Sequence, residues 1–97
     1  MARNQKLTGV IQGRTLVSAK ADGLLLTLGF QDGSILTIRL GAPAPSMVTG
    51  GTVQAIRQRE MTINFDFRDG STLELNTAEA TSCVMLRDRN GAFEYAD

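Results

Sequence analysis

A 37-residue internal repeat constrains this chain more than any other feature of its sequence. Shifted by 37 positions without a gap, Gly13 meets Gly50, Thr15 meets Thr52, and Phe30 meets Phe67. Asp32-Gly33-Ser34 falls on Asp69-Gly70-Ser71, and Leu36 falls on Leu73. Residue class is kept between these identities, as in Leu16 with Val53, Leu26 with Ile63, Leu28 with Phe65 and Ile38 with Leu75. A fixed period of this kind sets architecture before any other feature is weighed. Each copy is too short to hold a core alone, so the two are expected to share one.

Both copies read as strand. Leu24, Leu26, Leu28 and Phe30 alternate with Leu25, Thr27 and Gly29, and Met61, Ile63, Phe65 and Phe67 alternate with Thr62, Asn64 and Asp66. A period of two belongs to a half-buried strand. The alternation resumes after each Asp-Gly, with Leu36, Ile38 and Leu40, then Leu73 and Leu75. A two-residue loop would set Phe30 against Ile35 and mix inner with outer positions. A three-residue loop, Gln31-Asp32-Gly33 or Arg68-Asp69-Gly70, pairs 30 with 34, 28 with 36 and 26 with 38, with glycine in the left-handed conformation. Backbone geometry therefore accounts for both Asp-Gly pairs. In the strand before each hairpin, Val53 and Ile56 are three apart and need a bulge or a strong local twist to share one side.

The expected fold is all-β. Two tandem three-stranded antiparallel meanders, about 13–40 and 50–77, share a core as a small barrel or a sandwich. The linker 41–46 holds both prolines, Pro43 and Pro45, and marks a crossing between sheets or an edge. Gly50-Gly51 reads as a flexible entry into the second meander. A C-terminal hairpin over 83–96 turns at Asn90-Gly91, with Val84, Leu86, Phe93 and Tyr95 as its apolar side. Residues 77–82 form a helical turn or a loop. Ninety-seven residues make one domain, 1–97.

Chemistry is marked by what the sequence lacks. It contains no histidine, the commonest general base and zinc ligand, and one cysteine, Cys83, which reads as a small buried apolar residue. Neither a Cys–His nucleophile nor a metal set can be assembled, so no catalytic, cofactor or metal residue is expected. A lone cysteine, a polar N-terminus without a secretory core and no apolar run of roughly 18 residues point to a cytoplasmic protein without a membrane span.

Two asymmetries bear on partners. Residues 1–59 carry seven basic and two acidic side chains, and residues 60–97 three basic and eight acidic. The basic half could attract an anion, the chain could associate head to tail with itself, or the shared core could interleave the halves and cancel the dipole. Secondly, the outward positions of the second copy are polar, whereas the first places Val17, Leu25 and Ile35, with Arg39, on the side that should be wet. These four residues form the candidate interaction surface. The chain's own C-terminal hairpin is the expected cover, and a second copy or another protein is the alternative. The resulting expectation is a non-catalytic, protein-binding or self-associating module. A nucleic-acid-binding barrel using the basic half is the other reading, without a visible stacking platform.

Overall fold

The structure is a computed structural model that describes residues 2–3, 5–47 and 49–96. Its strands are β1 (Ala2–Arg3), β2 (Leu16–Asp22), β3 (Leu25–Phe30), β4 (Ile35–Arg39), β5 (Val53–Arg59), β6 (Thr62–Phe67), β7 (Thr72–Asn76), β8 (Val84–Arg87) and β9 (Phe93–Ala96), with one short helix, α1 (Gln5–Ile11). They form two antiparallel sheets, ordered β2-β3-β4-β8-β9 and β1-β5-β6-β7. The linker crosses from one to the other, since β4 and β5 lie in different sheets. A single apolar cluster fills the interior, from Leu16, Leu26, Leu28, Phe30, Leu36 and Ile38 of one sheet to Val53, Ile56, Ile63, Phe65, Phe67 and Leu75 of the other.

Pairing within the two meanders coincides under the 37-residue shift. Leu26↔Ile38 and Leu28↔Leu36 correspond to Ile63↔Leu75 and Phe65↔Leu73. The irregularity lies between Leu16 and Ser18 in one meander and between Val53 and Ala55 in the other, which lets Val53 and Ile56 both face the core. In each Asp-Gly loop the phenylalanine N–H donates to the serine carbonyl four residues on, and the glycine N–H donates back to the phenylalanine carbonyl. Gly33 and Gly70 sit at φ of 88° and 91°, as a three-residue loop requires. The Asp32 and Asp69 carboxylates accept from the backbone N–H and the hydroxyl of Ser34 and Ser71.

The meanders also bond to each other reciprocally. Gly13 N–H donates to Val53 O while Gly50 N–H donates to Leu16 O, and Leu16 N–H donates to Gly51 O while Val53 N–H donates to Arg14 O. At the other corner, Gly41 N–H donates to Asn76 O and Ala78 N–H to Arg39 O. The bridges Thr15↔Thr52 and Leu40↔Thr77 complete these corners. The sheets do not close into a barrel, which corrects that alternative. Beyond the first corner the free edge of β5 is taken by the N-terminal segment and not by β2. Arg3 and Ala2 pair with Arg57 and Gln58, and Thr8 Oγ1 accepts from Ile56 N–H at 2.9 Å and donates to Ile56 O at 3.3 Å.

Several expectations are corrected. The polar N-terminus leads into α1, where Leu7 and Ile11 are fully buried one helical turn apart. Leu24 and Met61 do not begin the inward row. They are half exposed in two-residue turns closed by Asp22↔Leu25 and Arg59↔Thr62. Gly51 is packed rather than flexible, since a Cβ there would meet the Phe67 ring at 2.9 Å. Residues 78–82 are a loop of bends without helix. Cys83 is buried as expected, and its sulfur also accepts from Glu79 N–H at 3.2 Å. Phe93 is 61% exposed instead of lying on the inner side of its hairpin. A bulge pairs Leu86 with Tyr95 but Arg87 with Phe93, leaving Glu94 as the extra residue and turning Phe93 outward.

Candidate interaction surface

The outer face of the five-stranded sheet is the one on which unexpected apolar side chains gather. Its in-register rows follow from strand pairing. One row runs Asp22, Leu25, Arg39; the next runs Lys20, Thr27, Thr37, Met85, Ala96; the third runs Ser18, Gly29, Ile35, Arg87, Phe93. Leu25 and Arg39 are direct cross-strand neighbours, and Ile35 lies opposite Gly29 on one side and Arg87 on the other. Val17 is exposed on the edge strand, next to the irregularity and separated from Ile35 by Ser18 and Gly29. Three of the four candidate residues therefore share this face with β8 and β9, and Val17 stands apart.

The C-terminal hairpin does not cover this surface. It extends the sheet edgewise, β8 pairing with β4 and β9 with β8. Alternation along β8 sends Val84 and Leu86 into the core and Met85 and Arg87 to the outer face, and the bulge in β9 adds Phe93 to that face. The hairpin enlarges the apolar face it was expected to hide. Leu25 and Ile35 remain 44% and 45% exposed. The Arg87 guanidinium stacks over the Phe93 ring at 4.0 Å from its centroid, and its Nη1 donates to Gly91 O at 2.8 Å. Between β3, β4, β8 and β9 the face is concave. A hollow of about 480 Å³ is lined mainly by Leu25, Thr37, Arg39, Cys83, Met85 and Ala96.

Ion pairs redistribute the segregated charge. Arg14 makes two bonds to Glu94, at 2.7 and 2.9 Å, and approaches Asp32 at 3.5 Å. Arg57 grips Asp66 at 2.7 and 2.8 Å, and Arg39 reaches Glu79 at 3.1 Å. The pairs with Glu94, Asp66 and Glu79 each link the basic half of the chain to the acidic half, whereas Asp32 lies in the same half as Arg14. The Arg57 guanidinium, helped by the Thr72 hydroxyl, holds the Asp66 carboxyl below its ordinary range against the opposing effect of burial. The Cys83 sulfur and then Glu79 favour the charged form of Arg39 at the rim of the hollow.

Among the described residues no group of three or more acidic or cysteine side chains converges as a metal site. No described helix is long and apolar enough to cross a membrane. Comparison with protein families, with characterised proteins and with solved structures finds no match for this chain.

The role of β8 and β9 in this face escapes sequence reasoning because it depends on where the hairpin docks. One local signal was available: Met85 and Arg87 alternate with the inward Val84 and Leu86.

Proposed function

We propose that this chain is a non-catalytic interaction module, built from one three-stranded unit present twice, that binds a protein surface through the outer face of its five-stranded sheet. The partner addressed first is a second copy of the chain. One observation carries this reading, the contrast between equivalent faces. Leu25 and Ile35 of the first meander correspond to Thr62 and Thr72 of the second, and only the first face gains Met85 and Phe93. A solvated sheet face is expected to alternate apolar-in and polar-out, as the second meander does. A face on which Arg39 and Arg87 are interleaved with Leu25, Ile35, Met85 and Phe93 has the composition of an interface centre, where arginine and large apolar side chains are enriched.

The absence of histidine and the engagement of Asp32, Asp66 and Asp69 by neighbouring donors support a non-catalytic reading. The three cross-half ion pairs weigh against nucleic-acid binding, since arginines held by carboxylates release fewer phosphate counterions.

The test is solution mass by light scattering across a dilution series. Wild type is expected to exceed monomer mass at high concentration, and Ile35→Glu or Phe93→Glu to be monomeric with an unchanged circular dichroism spectrum. A wild type that is monomeric throughout removes self-association, and unfolding of both variants would mark the face as internal.

A further inference from the structure

The two sheets differ at one edge. The edge of β4 carries β8, paired from Ile35↔Arg87 to Ile38↔Val84. The strand equivalent to β4 is β7, and there the second sheet ends. Phe67 N–H donates to Ser71 O and Thr77 N–H to Met61 O, so the odd-numbered residues of this stretch face β6. Thr72, Glu74 and Asn76 then direct their backbone groups away from the sheet. Asn76 O accepts from Gly41 N–H, but the N–H and C=O of Thr72 and Glu74 have no backbone partner among the described residues. The linker passes beside this strand, from Gly41 at Asn76 to Ser46 and Met47 at Thr72 and Leu73. Ala44 and Met47 pack on the core, while Pro43 and Pro45 have no N–H to donate. Beyond the Gly41–Asn76 bond, no described linker residue bonds to the backbone of β7.

We propose that the β7 edge receives an extended segment of a partner protein, added antiparallel as β8 is added to β4, with a basic side chain opposite Glu74. The structure itself shows the kind of strand that such an edge holds. In the equivalent place Leu86 and Val84 lie opposite Leu36 and Ile38 and face the core, while Met85 lies opposite Thr37. At β7 the corresponding inward residues are Leu73 and Leu75, and the position equivalent to Thr37 is Glu74. Charge excludes the simplest self-pairing. Two β7 strands in full antiparallel register set Glu74 directly against Glu74 of a second copy, and like charges in that position destabilise a sheet. A strand with apolar residues two apart and a cation between them satisfies both the open backbone groups and the carboxylate. This edge is separate from the apolar face described above, so failure of either reading leaves the other standing.

The probe is a synthetic peptide of residues 81–89 carrying Cys83→Ser and Met85→Lys, titrated into isotope-labelled protein and followed by NMR. Saturable shifts and slowed amide exchange are expected over Thr72–Asn76. Glu74→Lys in the protein, or Met85→Glu in place of Met85→Lys in the peptide, is expected to weaken binding roughly fivefold or more. Thr72→Pro is expected to abolish it, because it removes an outward N–H and no backbone bond to β6, although the hydroxyl bond to Asp66 is lost with the side chain. Ile35→Glu should leave binding unchanged. Shifts confined to Ile35–Arg39, no saturable binding, or equal affinity for Glu74→Lys would overturn the proposal. So would a wild-type dimer that Thr72→Pro dissociates, which would make a second copy the occupant. Glu74→Lys is an exposed change, so it keeps the test decisive if Thr72→Pro fails to fold.

Discussion

The hydroxyls of Thr15 and Thr52 lie 3.0 Å apart and hydrogen bond to each other, joining equivalent residues of the two meanders. The same two residues form the antiparallel bridge at which the sheets meet. Around them the backbone bonds are exchanged in pairs, Gly13 to Val53 with Gly50 to Leu16, and Leu16 to Gly51 with Val53 to Arg14. This is the pattern an isologous dimer interface would show, realised within one chain.

The bond predicts strong coupling. Thr15→Val or Thr52→Val alone leaves one hydroxyl without its partner and is expected to cost about 1 kcal/mol, whereas the double variant should cost less than the sum of the two. Urea unfolding of the four proteins measures the cycle, and strict additivity would contradict it.

Thr8 protects an edge. Its hydroxyl bonds both polar groups of Ile56 on the side of β5 away from β6, where β1 does not reach, and the residue is buried. Thr8→Val keeps the shape and removes both bonds, with an expected loss of about 1–3 kcal/mol, while Thr8→Ser retains most of the stability. Equal stability of the two variants would show that Thr8 acts by packing alone.

One turn has been filled by an unsuitable residue. The first central residue of each two-residue turn has positive φ, 60° at Gly23 and 51° at Glu60. Only glycine adopts this conformation without a steric penalty. Glu60→Gly is expected to stabilise by about 0.5–1 kcal/mol and Gly23→Ala to destabilise by a similar amount. Thermal midpoints moving in the same direction for both would contradict this.

Acid should destabilise the fold in a defined window. Asp66 is held below its ordinary range first by Arg57, Asp32 by the Ser34 hydroxyl and Asp69 by the Ser71 hydroxyl. A folded pKa below the unfolded one means that the unfolded chain takes up protons first. Stability is then complete above the unfolded aspartate value of about 4 and is lost as pH falls through the folded values. The urea midpoint should be level at neutral pH and fall below about pH 4, less steeply in Asp66→Asn. A midpoint that rises on acidification would contradict the assignment.

Much of the candidate face was legible before the fold was known. Leu25, Ile35 and Arg39 stand on outward positions because alternation and the three-residue loop determine side-chain direction locally. Phe93 was misplaced because a bulge at Glu94 shifts the register by one residue, and no periodicity signals it. The helix was missed because Leu7, Val10 and Ile11 supply only one turn of apolar spacing, interrupted by Thr8 and Gly9.

The amino-acid sequence by itself determined the strands of the two meanders, the registers of their Asp-Gly hairpins and most of the inward rows, because period two and a left-handed glycine act within a few residues. Tertiary structure alone decided which edges are covered. Thr8 reaches Ile56 across 48 positions, β8 joins β4 and not β7, and Arg14 meets Glu94 across 80. Backbone groups at a strand edge accept any partner of the right geometry, so their choice depends on which segments the packed core brings within reach.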